Sequence, residues 1–458
     1  MRTPPPESLP KAAVAAPAVT RRTLPGGLRL VVVEEHRRKV AVVSLMLPRG
    51  SLNDPPGDEG LTWMAVKLAS DYHELGGKYD EDEKSFRTEI ARLGGTADFE
   101  VESDFSEIQI AGYSQDVPNY LKLLAAEVVR PRHGAHSFRG RRNFTLDAVE
   151  DAESSDDGSF RQLLERTAFG PGHPYASAPY GTVKGLTHIR LTDVEAQQKL
   201  LFQPSGATLL VVGDVKAAEV IASATGALAS WKAQELDALE SAPPPKVPRP
   251  SLPRDSRQIQ YLARPTASTL MTCATRPLPE VAATNAALRV LVAVLGGGVS
   301  SRLTRTLRNE HGFTYSAGAE VVRRRQASAL IACSALDSFR AAEGAKVFRE
   351  VLAGMKEKPP DDEEIARAKG VVLASLDASM DDVGHSLDTW LTAIAYGDGT
   401  PHLDQERAAI QTVSAAEVRA LSAKLFNLNS FRWVVSGDKA AAVKAFEKTG
   451  LGKLAHAD

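Results

Sequence analysis

Arg308 and Tyr315 stand on either side of a Gly-containing turn in "TRTLRNEHGFTYSAGAEV". An amphipathic helix is expected to run to about His311 and close at Gly312. Arg308 then falls near a helix C-terminus and Tyr315 at the entry to a strand, so that their tips can meet at one cleft. A guanidinium offers a planar fork to a carboxylate or carbonyl, and a phenol can donate to a developing oxyanion, so the pair has the equipment to act on a peptide. Composition alone reads the two differently, with Arg308 on a solvated helix face and Tyr315 at the edge of a core.

Other candidate chemistry is thinner. Gly296, Gly297 and Gly298 precede Ser300 and Ser301, and helix-start N–H groups behind such a turn can hold an anion. A nucleotide-phosphate loop would need GxxxxGK followed by Ser or Thr, and no Lys is placed for it. His133 and His136 lie among arginines with no adjacent acid, and His73, before Glu74, has no second His at helical spacing, so these read as loop and surface histidines. Cys273 and Cys333 are the only cysteines. Each sits in an apolar, strand-like stretch and reads as a buried thiol; two cysteines cannot build a disulfide framework or a Cys-based zinc site.

The elements that must position these residues are mixed. "LRLVVVEE", "VAVVSLML" and "SEIQIAGY" read as strands, while "NYLKLLAAEVV", "TNAALRVLVAVL" and "DEEIARAKGVVLASLDASM" carry helical spacing. Paired strands precede long helices instead of alternating with them, which predicts α+β lobes with largely antiparallel sheets. At 458 residues the chain is too long for one ordinary core. The Pro-rich stretch "ALESAPPPKVPRPSLPRDSR" divides it almost in half and favours an extended linker. Both halves end alike, in "FQPSGATLLVVGDV" and "FNLNSFRWVVSGDK", which points to an internal duplication. The expected organisation is a flexible leader over 1–24, an N-terminal lobe over 25–235, a linker over 236–257 and a C-terminal lobe over 258–458.

A formal net charge of -2 gives no global pull toward nucleic acid or acidic lipid. The arginine groups Arg139, Arg141, Arg142 and Arg323, Arg324, Arg325 read as solvated surface. No apolar run is long enough to span a membrane. The Pro/Ala-rich start lacks the basic-then-apolar pattern of a signal, so it reads as a leader or as a start left by a removed signal, and the compartment stays open between cytoplasm and periplasm.

From "LPGGLRLVVVEEH" through "GSLNDPPGDEGLTWM", "IARLGGTADFEVESDFSEIQI" and "AFGPGHPYASAPYGT" to "LGGGVSSRLTRTLRNEHGFTYSAGAEV", the chain resembles the pitrilysin, or insulinase-like, zinc metallopeptidases, in the heterodimeric branch that includes mitochondrial processing peptidase. The resemblance implies two similar α+β lobes forming half of a clamshell. It also implies that Arg308 and Tyr315, with Gly297 and Gly298 near by, bind the substrate peptide and stabilise its transition state at a zinc held by the opposite lobe.

The family's zinc helix reads "EGLAHFLEH", with two His four residues apart and a Glu that activates water. On this alignment the first His position is Trp63, the Glu position Val66 and the second His position Lys67, after a Pro-Pro-Gly turn and the acids Asp58 and Glu59. The third ligand falls on Ala148; Glu150 is two residues on, about 200° round a helix. An indole N–H only donates, Val has no lone pair, and an ammonium repels a dication. The family's substrate-receiving strand stands here as "DFEV", Asp98 to Val101. The resemblance therefore implies a noncatalytic subunit, inactive alone, with no cofactor of its own. A zinc-bearing homologue would be its partner and an unfolded peptide its substrate. Scaffold or peptide-binding roles without hydrolysis are the alternatives.

Overall fold

The computed structural model describes residues 17–70, 86–129, 131, 134–233, 245–250, 258–265, 267–278, 285–379, 383–397, 399–448 and 452–456. Their strands form two six-stranded sheets. The first comprises β1 (Ala18–Thr23), β2 (Arg29–Glu34), β3 (Val40–Leu47), β4 (Thr96–Val101), β5 (Ser106–Tyr113) and β6 (Thr208–Gly213), in the order β1-β2-β6-β3-β5-β4. The second comprises β7 (Gln258–Ala263), β8 (Thr269–Pro277), β9 (Thr314–Arg323), β10 (Ser328–Asp337), β11 (Arg432–Gly437) and β12 (Lys453–His456), in the order β12-β7-β11-β8-β10-β9.

Five strands of each sheet correspond one to one in chain order, which is the duplication seen in the repeated strand endings; β6 and β11 are those endings. The sixth strand differs. β1 precedes the other five strands of its sheet and runs antiparallel to β2, whereas β12 follows the other five of its sheet and runs parallel to β7. β1 pairs with β2 from Ala18 to Thr23, so the leader expected to reach residue 24 gives way to sheet by residue 18. Both sheets are mixed, with β2/β6 and β7/β11 parallel and the inner pairs with β3 and β8 antiparallel.

β-Branched and aliphatic runs such as Val31-Val32-Val33 and Leu209-Leu210-Val211-Val212 are buried on both faces, as central strands require. One face of each sheet packs on helices of its own lobe: Leu61–Ser70 and Val117–Val129 in the first, Ala286–Gly296, Ala341–Glu357 and Asp362–Ala378 in the second. The opposite faces are covered by exchange. The N-terminal lobe's helix Asp156–Phe169 sets Leu163 on Cys273 and Val434 of the second sheet. The C-terminal lobe's helix Val383–Tyr396 sets Val383, Leu387 and Trp390 on Val31, Val33, Val42, Leu210 and Val212 of the first.

Cys273 and Cys333 are joined in a disulfide across β8 and β10. The two free thiols expected from the sequence are corrected here: the antiparallel register places the two residues directly opposite one another.

Candidate functional site

Helix Leu61–Ser70 begins behind a loop tied down by Asp54, whose carboxylate accepts from Gly60 N–H and Thr62 N–H at 2.8 Å each and from Thr62 Oγ1 at 2.6 Å. Burial raises Asp54 to about 6 against those bonds. The cap is thus Asp54 and not the adjacent acids Asp58 and Glu59; Glu59 accepts instead from Gly57 N–H. Gly60 has φ +105, and a Cβ there would meet Leu186 and the Tyr180 carbonyl at 2.9 Å, so only Gly fits the entry.

On this helix Val66 is fully buried in the core. Trp63 packs edge-on against Tyr180, with ring centroids 6.2 Å apart. The Lys67 ammonium lies 4.5 Å from the Trp63 ring centre and 3.6 Å from Glu100 Oε1 on β4, with its pKa lowered by burial. A buried aliphatic side chain, an indole and an ammonium committed to a ring face and a carboxylate do not fit a zinc ion.

Helix Ala135–Ser154 brings Phe138, Arg141, Thr145 and Val149 inward, whereas Ala148 and Glu150 are exposed. Arg141 is 8% exposed, and burial lowers its pKa to about 10. A buried guanidinium that acts on Lys67 therefore stands beside the Leu61–Ser70 helix, and the methyl group of Ala148 offers no donor atom to a metal. His136 is exposed, while His73, Glu74 and His133 lie outside the described residues. Among the described residues no three His, Cys, Asp or Glu side chains group as a metal site.

The C-terminal lobe does assemble its pair. Helix Ala286–Gly296 ends against β9: a Cβ on Gly296 would stand 2.1 Å from Ala319 N, and one on Gly297 2.5 Å from Ala293 Cα. Gly298 takes φ +106 with open space around it. Two of the three glycines thus serve close approach and the third a left-handed turn. The next helix, Thr304–Glu310, is wound as a π-helix, with His311 N–H donating to the Thr306 carbonyl. Such wide turns are rare and cluster at functional sites. Gly312, at φ +63, turns the chain back into β9.

This return stacks the Arg308 guanidinium 4.9 Å from the centre of the Tyr315 ring. Tyr315 is 84% exposed, so it is no core edge, and Arg308 is exposed beside it. Spacing marks neither Val299 nor Phe339, yet they are 74% and 90% exposed and lie at the same end of the lobe. Asn309 Nδ2 donates to the Val299 carbonyl, and Asp337 N–H, two residues before Phe339, donates to the Phe313 carbonyl. The readable signal is an apolar residue inside a Gly/Ser turn.

Arg323 and Arg324 correct the expectation of a solvated patch. Arg324 reaches Glu165 at 3.7 Å and Glu102 at 4.0 Å, and Arg323 donates to the Tyr396 carbonyl. Arg325 N–H donates to Asp104 Oδ2 at 2.9 Å, while Asp104 Oδ1 accepts from Tyr175 OH at 2.8 Å. The run therefore closes the seam between the lobes. The linker is clipped to the same seam: His173 Nε2 is 2.8 Å from the Pro248 carbonyl, and Gln326 Nε2 donates to the Pro245 carbonyl.

Fold and site together describe half of a clamshell, two duplicated α+β lobes with an exposed Arg/Tyr pair on the second. Residues 188–372 match the family described as Peptidase M16 inactive domain. An uncharacterized zinc protease of Mycobacterium leprae is 23% identical over 432 residues, covering 91% of each chain. Among solved structures, a protease from Helicobacter pylori superposes with a TM-score of 0.78 at 18% identity, covering 92% of this chain and 99% of that one. The first half of the periplasmic protease PqqL from Escherichia coli does so with 0.75 at 14% identity, covering 97% and 100%. The chain is a homologue of the M16, pitrilysin-like zinc proteases. No helix among the described residues is long and apolar enough to cross a membrane.

Proposed function

We propose that the chain is the noncatalytic subunit of a heterodimeric zinc metallopeptidase. It would close a chamber around an unfolded peptide with a zinc-bearing homologue and present Arg308 and Tyr315 to that peptide. The observation that carries this reading is the exposed stack of Arg308 on Tyr315, in contrast with the N-terminal helix, where Trp63, Val66 and Lys67 supply no ligand set. Arg308 makes no ion pair among the described residues, so its fork is available for a peptide carbonyl or carboxylate while the phenol points to solvent. Gly298, with open space where a Cβ would stand, leaves backbone accessible beside them.

The test is to purify the chain alone and together with a zinc-bearing homologue, then measure bound zinc and cleavage of an unstructured peptide. The expected result is turnover only in the mixture. Stoichiometric zinc and turnover by the single chain would sink the proposal, and a stable complex without cleavage would favour the scaffold role instead.

A further inference from the structure

We propose that Cys333 is a thiol-exchange site, at which a small thiol forms a mixed disulfide in the groove beside β9. The strand registers place four residues in one row across the second sheet: Val434 on β11, Cys273 on β8, Cys333 on β10 and Gly318 on β9. Directly paired residues project to the same face, so the S–S bond runs along this row. Thiolate displacement at sulfur is in line: the nucleophile approaches the attacked sulfur from the side opposite the leaving one.

For attack on Cys273 that line passes over Val434, under the cover of Leu163 from the exchanged helix, and all three residues are buried together. For attack on Cys333 it passes over Gly318, which has no side chain. There the sheet opens into a groove of about 440 Å3 lined by Met271, Ser316, Gly318, Glu320, Ile331 and Cys333 itself. Cys273 is fully buried, whereas Cys333 is only partly so.

The chemistry balances without any further reactant. A thiolate RS⁻ bonds to Cys333 Sγ, the Sγ–Sγ bond breaks, and its electron pair leaves on Cys273 Sγ, which takes a proton. A second RS⁻ then attacks the sulfur of R, releasing RSSR and the Cys333 thiolate, so two thiols are oxidised as one disulfide is reduced. While the adduct persists, R fills the groove three residues from Tyr315, on the strand that carries it. This inference stands on the second sheet and the helix that covers it, and does not depend on the role given to Arg308 and Tyr315.

The experiment exposes the folded full-length chain to 2-mercaptoethanol, quenches with acid, and maps adducts by mass spectrometry. The expected adduct is on Cys333, with Cys273 as the free thiol. Gly318→Val blocks the line of approach and should slow native-state thiol release several-fold, with Gly318→Ala between, while all three chains react alike in denaturant. The substitutions are compatible with the fold, since a Cβ at Gly318 meets only the Gly296 carbonyl at 3.7 Å and the backbone has no positive φ there; unchanged unfolding midpoints check this. An adduct on Cys273, equal native rates for Gly318→Val and the parent, or two free thiols in the untreated protein would each overturn the proposal.

Discussion

The phenol of Tyr175 bridges the two lobes: it donates to Asp104 at 2.8 Å and accepts from Gln326 N–H at 3.2 Å, while the same carboxylate takes Arg325 N–H. Asp104 is 3% exposed, and burial, followed by the Asp104 carboxylate, raises the Tyr175 pKa, so the phenol stays a donor. Tyr175→Phe leaves a buried carboxylate oxygen and the Gln326 N–H short of a partner. That should lower the unfolding free energy by about 1–3 kcal/mol, read from denaturant midpoints. An unchanged midpoint would show that the bridge does not hold the seam.

Tyr315→Phe tests the role of the exposed pair. Loss of one oxyanion donor typically costs on the order of 10²–10³ in turnover. In the reconstituted pair, peptide cleavage should therefore fall by that order while assembly, followed by gel filtration, is unchanged. Equal rates would remove Tyr315 from the chemistry.

His173 makes the seam sensitive to acid. Its ring lies against both Phe169 and Tyr175, which also touch each other, its Nδ1 accepts from Tyr175 N–H at 3.1 Å, and its Nε2–H donates to the Pro248 carbonyl. Burial lowers its pKa from 6.5, the Arg432 charge acts in the same direction, and the Pro248 bond opposes them. The unfolded chain thus binds the proton first. The contribution of His173 is complete above pH 6.5 and is lost as pH falls from there toward the folded-state value. His173→Gln should flatten the fall in stability below that pH, measured as unfolding midpoints across a pH series; an identical profile for the variant counts against it.

Glu107 acts with the opposite sign. It is 8% exposed, accepts from Ser44 Oγ at 2.6 Å, and is pushed up to about 7 by burial, with Asp388, Glu100 and Asp98 adding to the rise. Here the folded chain holds the proton that the unfolded chain has released. The stabilisation is complete below pH 4.5 and declines as pH rises, until it is gone above about 7. Glu107→Gln should therefore be more stable than the parent by roughly 1–3 kcal/mol at pH 8 and equal to it at pH 4. Greater stability of the variant at pH 4 as well would point to packing and not to the charge.

Much of the scaffold was legible because local patterns suffice for it. The Val-rich runs of β2, β3 and β6 and the repeated Gly-Asp endings after β6 and β11 need no tertiary knowledge, and the Arg308 to Tyr315 spacing across Gly312 placed both residues at one corner. What escaped depended on which surfaces meet. The apolar stripe of Asp156–Phe169 declares that it is buried but not under which sheet. Arg324 looks like any charge in a run until Glu102 and Glu165 stand opposite it. Cys273 and Cys333 become a pair only once β8 and β10 are in register, and Asp54 becomes a cap only once its loop folds back over Gly60.

The exchanged helices make the two lobes interlocked. Removing the C-terminal lobe would take Val383, Leu387 and Trp390 from the first sheet and uncover Val31, Val33 and Val212; removing the N-terminal lobe would uncover Val434 and Cys273 in the same way. Each half depends on the other to cover one face of its sheet. A cut within the segment joining them would leave two polypeptides still clasped through each other's helices, so the covalent continuity of the chain matters less to its integrity than this mutual embrace.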